Sequence, residues 1–477
     1  MPAVAALGTA ARPAPSALHR LGRWLIAAGL AAAAAAGVLG GLPQLDPAAR
    51  WTLLVFAGAV IAWTVLDLDE TPVALAGALA LLAAGATTPQ RFYAGLGDDF
   101  IWLLIAAFML AAVLQAGGLA QRWALAVVAT ARTPAALMRR LTWFIMATAL
   151  VVPSTSGRAA LLVPVFLALA QALPLPRHRR SLALLFPTVI LLSACMSMLG
   201  AGAHLVALDF MHRLGGAAPG FLGWIWLAGP FGLVSCLLAC ELIQRLFLHA
   251  DERHLAITLP TPAAALLTRH QWGIVAITAG TLLAWATTHW HGVDAPMVAV
   301  CGALLATVKG LTGSDMKSTL KKVEWNLVVF MAATMVMGEA MLDSGAADAL
   351  AGLLVQAVAI DRLPPVAGLA LASVLALLSH LLVTSRTARA MVLIPAVALP
   401  FAAAGHNPAL LVFMMAIGSG FCQTLLISAK PVAMFAGEAG PHYTARDLAG
   451  LSLALLPGMW LLLVLFAAVI WPLQGLG

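Results

Sequence analysis

Thirteen apolar segments dominate the chain, at about 24–42, 51–66, 72–88, 100–119, 141–173, 181–208, 221–246, 271–289, 296–311, 325–342, 365–402, 408–435 and 447–473. A helical span needs about 20 apolar residues, so such a pattern points to lipid as the main solvent. The balance of residues agrees: 62% are hydrophobic and 9% charged over 477 positions. That is too little charge to cover a soluble surface of this size. The expected fold class is therefore an all-α polytopic membrane protein in contact with the lipid bilayer. The run from Trp24 to Leu42 is long for a secretory signal and is expected to be an uncleaved first membrane helix.

Two segments, 141–173 and 365–402, are too long for one span. Polar residues break each near its middle: PSTSG in the first and SHLLVTSRTA in the second. Each half is short for a full crossing, so both are expected to be re-entrant hairpins. Their non-helical tips must then be buried in protein or line a watery cavity. This leaves about eleven transmembrane helices plus two hairpins.

The distribution of Lys and Arg sets an orientation. With the N-terminus in the cytoplasm, eighteen of the 26 basic residues, from Arg12 to Arg446, fall inside and four (Arg50, Arg91, Arg213, Arg362) fall outside. The expected location is the plasma membrane, of a bacterial inner-membrane kind, with the N-terminus cytoplasmic and the C-terminus outside. The first hairpin then opens to the cytoplasm and the second to the outside.

The hairpins repeat each other. STSGRAALLVP (Ser154–Pro164) aligns without gaps on SRTARAMVLIP (Ser385–Pro395), sharing S-x-[ST]-[GA]-R-A-x-x-L-[VI]-P. The preceding helices also match, FMLAAVLQAGGLA over VMGEAMLDSGAA, with Gly117 placed opposite Gly345. Polar spans follow each hairpin, SACMSMLGAGAH and GSGFCQTLLISAKP. The expected organisation is an N-terminal scaffold of membrane helices (1–90), a first inverted repeat (91–246), a connecting region (247–317) and a second inverted repeat (318–473). Inverted repeats whose interrupted segments meet at the midplane are an architecture of secondary transporters.

On these residues the chain resembles the divalent anion:sodium symporter family, within the ion transporter superfamily, from about Phe100 to the C-terminus. That family carries Ser-Asn-Thr at each hairpin tip, followed by a Leu-Pro. Here the tips read Ser154-Thr155-Ser156 and Ser385-Arg386-Thr387, with Val163-Pro164 and Ile394-Pro395 after them. The family's Thr-Pro-Pro-Asn-like turns correspond to Ala201–His204 and Ala429–Val432. The resemblance implies a homodimeric elevator transporter for di- or tricarboxylates or a related oxyanion. It also implies candidate sodium positions near Ser154 and Thr384. The tip asparagines are replaced by Thr155 and Arg386, so the sequence reads as a divergent relative in which fixed cations weaken or replace sodium dependence.

The chemistry of the tips fits an anion. The first turn of a returning half-helix offers unpaired N–H groups and the positive end of the helix dipole. Ser154, Thr155, Ser156, Ser385 and Thr387 add hydroxyls, which also serve as N-caps, and Gly157 lies between the first cluster and its arginine. Arg158 and Arg389 stand at the wrong end of the dipole for a cation, at equivalent positions. Three partners are open to them: an anionic substrate held by the guanidinium fork, a protein carboxylate such as Glu339 or Asp343, or backbone carbonyls of the preceding arm. In the last case the arginine would brace the hairpin.

Lys430 and His204, with Gly200 and Ser428 beside them, are candidate ion-coupling or fixed-charge residues. Arg158, Arg386, Arg389 and Lys430 face no obvious equal number of acids in the sequence, which favours a small anionic substrate. No cofactor is implied beyond sodium or a proton as coupling ion, and no confident metal site is present.

Other classes fit less well. A cation/proton antiporter or a metalloid-anion exporter of the same superfamily is the alternative, although an antiporter needs acids that the tips lack. Nucleic-acid binding is excluded because the basic residues punctuate apolar spans and form no stripe. An enzyme is not expected: no HExxH or GxSxG occurs, and His380 is the single histidine on a hairpin arm. The five cysteines lie in apolar segments without a CxxC pair and are expected to be small buried hydrophobes.

Overall fold

The structure is a computed structural model that describes residues 17–215, 218–259, 266–436 and 442–476. Arg12, counted above among the cytoplasmic cations, lies outside them. Three helices lead in: α1 (Ala17–Gly41), α2 (Pro47–Thr64) and α3 (Glu70–Ala83). The first half continues with α4 (Pro89–Gly97), α5 (Asp99–Ala116), α6 (Leu119–Val128), α7 (Pro134–Thr148), α8 (Thr155–Ala172), α9 (Pro176–Ser193), α10 (Gly202–Arg213) and α11 (Phe221–Phe247). Two connecting helices follow, α12 (Arg269–Ala286) and α13 (Ala295–Ala306). The second half is α14 (Trp325–Asp343), α15 (Ala346–Val358), α16 (Pro365–Leu378), α17 (Arg386–Ala403), α18 (Pro408–Gly418), α19 (Lys430–Ala436) and α20 (Ala445–Leu473).

The chain is an all-α polytopic membrane protein. By length and composition, nine helices among the described residues can cross a membrane, including the returning hairpin arms α8 and α17. The segments expected as spans at 72–88 and 296–311 form the shorter helices α3 and α13.

Element order from α5 to α11 recurs from α14 to α20, and local chemistry explains why. The hairpin segments are helix–turn–helix units, with arms α7 and α8 joined by 149–154 and arms α16 and α17 joined by 379–385. Thr133 caps α7 by accepting from the Ala136 N–H at 3.2 Å, ahead of Pro134 at the first helical position. Pro164 sits inside α8, whereas Pro395 falls in a π-helical turn at Ile394–Ala398. The wider turn accommodates a ring that leaves an N–H missing.

The glycine register needs correction by one residue. Gly118 and Gly345 both adopt left-handed φ, 64° and 74°, at the starts of α6 and α15. Gly118, not Gly117, is therefore the counterpart of Gly345, since the left-handed corner is what a glycine supplies at no steric cost.

Each half has a broken helix. After α9 a 3-10 turn (Ala194–Met196) gives way to non-helical chain until Gly202, and after α18 the chain stays non-helical over 419–429 until Lys430. The breaks interlock the halves: α10 packs against α17 and α18, and α19 packs against α8 and α9. Helices α3 and α14 pack on each other, and α14 also packs against α10. Four of the five cysteines are buried as expected, while Cys301 on α13 is exposed; all five are free thiols.

Candidate anion site between the hairpin tips

Both tips open on one cavity of about 770 Å³. Ser154 begins α8 with φ 84° and ψ 125°, a left-handed conformation that is rare for a residue with a Cβ. Its Oγ accepts from the Gly157 N–H at 3.3 Å and donates to Glu324 Oε1 at 2.9 Å. Ser385 repeats the arrangement at the start of α17: its Oγ accepts from the Ala388 N–H at 3.3 Å and donates to Glu70 Oε2. Thr155, Ser156, Thr384 and Thr387 line the same cavity. The candidate sodium positions near Ser154 and Thr384 thus lie on its wall.

The two equivalent arginines have different fates. Arg158 is fully buried, lies off the cavity lining and places all three guanidinium nitrogens. Its Nε donates to Thr148 Oγ1 at 3.1 Å, Nη1 to the Ile190 carbonyl at 2.9 Å, and Nη2 to the Ile145 carbonyl and Ser193 Oγ, both at 2.7 Å. It braces hairpin 1 from α7 across to α9, which corrects its placement among substrate ligands. Arg389 lines the cavity, donates Nε to the Ser385 carbonyl at 3.4 Å, and leaves Nη1 and Nη2 buried without a partner among the described residues. Glu339 and Asp343 reach neither arginine. Glu339 pairs with Arg91 at 3.2 Å and Arg213 at 3.5 Å, and Asp343 with Arg91 at 2.6 Å.

Arg386 also lines the cavity. Its Nη2 donates to His204 Nε2 at 2.9 Å, while Nε and Nη1 have no partner among the described residues. Arginine can only donate, so His204 accepts through Nε2. Its Nδ1–H then donates to the Ser197 carbonyl, 2.9 Å away. That is a neutral imidazole holding a guanidinium, and His204, a candidate ion-coupling residue, lies off the cavity lining behind Arg386.

Two glycines make room for side chains of the second tip. A Cβ on Gly420 would lie 2.7 Å from Arg386 Nη2, and one on Gly202 would lie 2.8 Å from Thr387 Oγ1. Gly420→Ala is expected to push the Arg386 guanidinium aside and raise the KM for substrate by about tenfold, with folded yield kept. An unchanged KM would show that this arginine does not contact the ligand.

Of the remaining candidates, Lys430 is exposed to the cavity and Ser428 lines it, accepting from the Leu425 N–H at 3.0 Å. Gly157 instead borders a smaller pocket of about 60 Å³ behind the tip, with Gln115, Lys322 and Glu324. Gly200 lies off the cavity, packed against the Ala194 carbonyl where a Cβ has no room. His380 bonds the Leu377 carbonyl and Thr424 Oγ1, each at 2.7 Å, and lies off the cavity.

The charge balance differs most from expectation. Arg386, Arg389 and Lys430 are faced across the cavity by Asp67, Asp69, Glu70 and Glu324. These acids were missed because each stands at or just before the start of an apolar helix. There, carboxylates are ordinary partners of the helix dipole. The only available signal was their pairing at the starts of α3 and α14.

Interlocked broken helices, paired hairpin tips and unpartnered guanidinium N–H groups over one polar cavity define a membrane transporter for anions. The sequence matches the citrate transporter (CitMHS) family over residues 51–418, most of the chain. The chain belongs to this family, which lies in the ion transporter superfamily. A curated protein of Cupriavidus necator, named only as a membrane protein, is 24% identical over 393 residues, covering 76% of each chain. Among solved structures, the YdaH transporter of Alcanivorax borkumensis aligns with a TM-score of 0.54 at 17% identity, over 86% of this chain and 100% of that one. At that identity the likeness concerns the fold.

Proposed function

We propose that the protein is a secondary active transporter of citrate-class di- and tricarboxylates, which carries its substrate between the two hairpin tips. One observation carries the reading: four buried guanidinium nitrogens of Arg386 and Arg389 lack partners beside a cavity of about 770 Å³. Buried donors of this kind are costly unless a ligand satisfies them. A carboxylate matches the planar fork in geometry and charge, and the cavity lies within the usual size of small-molecule sites.

The acids revise the expected coupling. Arg386, Arg389 and Lys430 already face Asp69, Glu70 and Glu324, so an entering anion of two or three charges adds uncompensated negative charge in a low-dielectric space. Cations or protons must enter with it, and we assign sodium or a proton as coupling ion rather than fixed cations in its place. Movement as an elevator within a homodimer, with the N-terminus cytoplasmic, completes the proposal. The orientation is supported by the eighteen-to-four distribution of basic residues, and the elevator movement by the resemblance carried by the two hairpin tips.

Counterflow in proteoliposomes tests this. Labelled citrate is expected to exchange faster than succinate or sulfate and to be driven inward by an imposed sodium or proton gradient. The proposal fails if none of the three exchanges, and the coupling part fails if exchange occurs but neither gradient drives accumulation.

A further inference from the structure

The serine hydroxyls that would serve a bound carboxylate are already engaged. Ser154 Oγ donates to Glu324 Oε1 at 2.9 Å, and Ser385 Oγ donates to Glu70 Oε2. The two carboxylates do not belong to the hairpins. Glu70 opens α3 and Glu324 immediately precedes α14, and these two helices pack on each other. Each hairpin tip therefore places its N-cap hydroxyl on a carboxylate presented by a separate helix pair. The arrangement occurs twice, at equivalent serines of the two repeats.

A glutamate side chain presents the same group as the proposed substrate. An O–H donated to a carboxylate is about twice as strong as one donated to a neutral acceptor, so a tip hydroxyl facing an empty cavity is best satisfied by such a group. We propose that Glu70 and Glu324 are stand-in carboxylates: they occupy the tip serines in the substrate-free carrier and yield them to the carboxylates of the substrate when it binds. The inference rests on the transport reading above and deepens it.

A consequence follows for the transport cycle. A carrier that performs net uptake must return empty, and it returns with its tip donors satisfied only if the protein supplies the acceptors. A carrier performing exchange never returns empty, since substrate fills the site in both directions. Glu70 and Glu324 are thus positioning residues whose loss weighs more on the empty return than on exchange. They also compete with substrate, so their removal increases the fraction of carrier with free tip hydroxyls and lowers the apparent KM.

The test uses the full chain in proteoliposomes with labelled citrate and two readouts from one preparation. Net uptake is measured into vesicles without internal citrate and exchange into vesicles loaded with it. In Glu70→Ala and Glu324→Ala, net uptake is expected to fall about tenfold more than exchange does, and the KM for exchange to fall by about threefold. Glu70→Gln and Glu324→Gln are expected to recover part of the net uptake, because an amide oxygen still accepts from serine. Where an alanine variant fails to fold, the glutamine variant carries the same comparison at smaller amplitude.

Equal loss in both modes, or no change in either, overturns this inference while leaving the transport reading intact. A wild-type protein that exchanges none of the labelled anions overturns the transport reading and this inference with it.

Discussion

Arg158→Ala is expected to remove most of the folded protein while leaving the affinity of what remains within about twofold of wild type. The guanidinium is fully buried and joins Thr148, Ile145, Ile190 and Ser193. Removing it unties the first arm of hairpin 1 from α9 and leaves acceptors unsatisfied in a space water cannot enter. Each buried acceptor left unsatisfied costs about 1–3 kcal/mol, so the loss is a large share of the roughly 5–15 kcal/mol that holds a typical domain together. Arg158→Lys is expected to rescue little, since a single ammonium cannot reproduce a planar fork that reaches both α7 and α9. Monodisperse yield in detergent, thermal unfolding and the KM of the surviving fraction decide the matter. Normal yield with lost transport would return Arg158 to the substrate site.

Arg389→Ala is expected to do the opposite. Its Nη1 and Nη2 are buried without partners among the described residues, so its loss removes donors that no side chain or carbonyl there satisfies. Folded yield should be equal to wild type or higher. Binding of citrate should weaken by about 3 kcal/mol or more, on the order of a hundredfold, because two charge-assisted hydrogen bonds disappear together. Arg389→Lys should remain impaired, since an ammonium cannot make the bidentate contact. Wild-type affinity in Arg389→Ala would remove the observation on which the substrate assignment rests.

These opposed outcomes come from residues at the same position of one motif. Arg158 and Arg389 follow their tip serines at the same spacing, and no pattern in the chain distinguishes them. The difference lies in what comes within reach. Helices α7 and α9 present hydroxyls and carbonyls around Arg158, while Arg389, buried at the cavity wall, finds the Ser385 carbonyl. His204 shows the same limit: its support of Arg386 joins residues 182 positions apart.

Much of the architecture was legible because lipid makes it so. Helix-length apolar runs, proline and glycine punctuation, and a polar interruption in each of two overlong segments follow from backbone hydrogen bonding in a medium without water. They led to an all-α membrane fold, two hairpins and a repeat. They also led to a cluster of hydroxyls and arginines at the tips, most of which lines the cavity. Apolar periodicity could not reveal which charges meet across that cavity. Glu70 and Ser385 are 315 positions apart, and Glu324 and Ser154 are 170 apart; local sequence at each acid shows only an ordinary start of a helix. The sequence by itself therefore determined the solvent, the helices and the repeated tips, because these depend on local composition and spacing. The tertiary structure alone decided that one arginine braces a hairpin while its twin faces the cavity, and that carboxylates balance the cations there. Those outcomes depend on the burial and distance of groups that only the packed helices bring together.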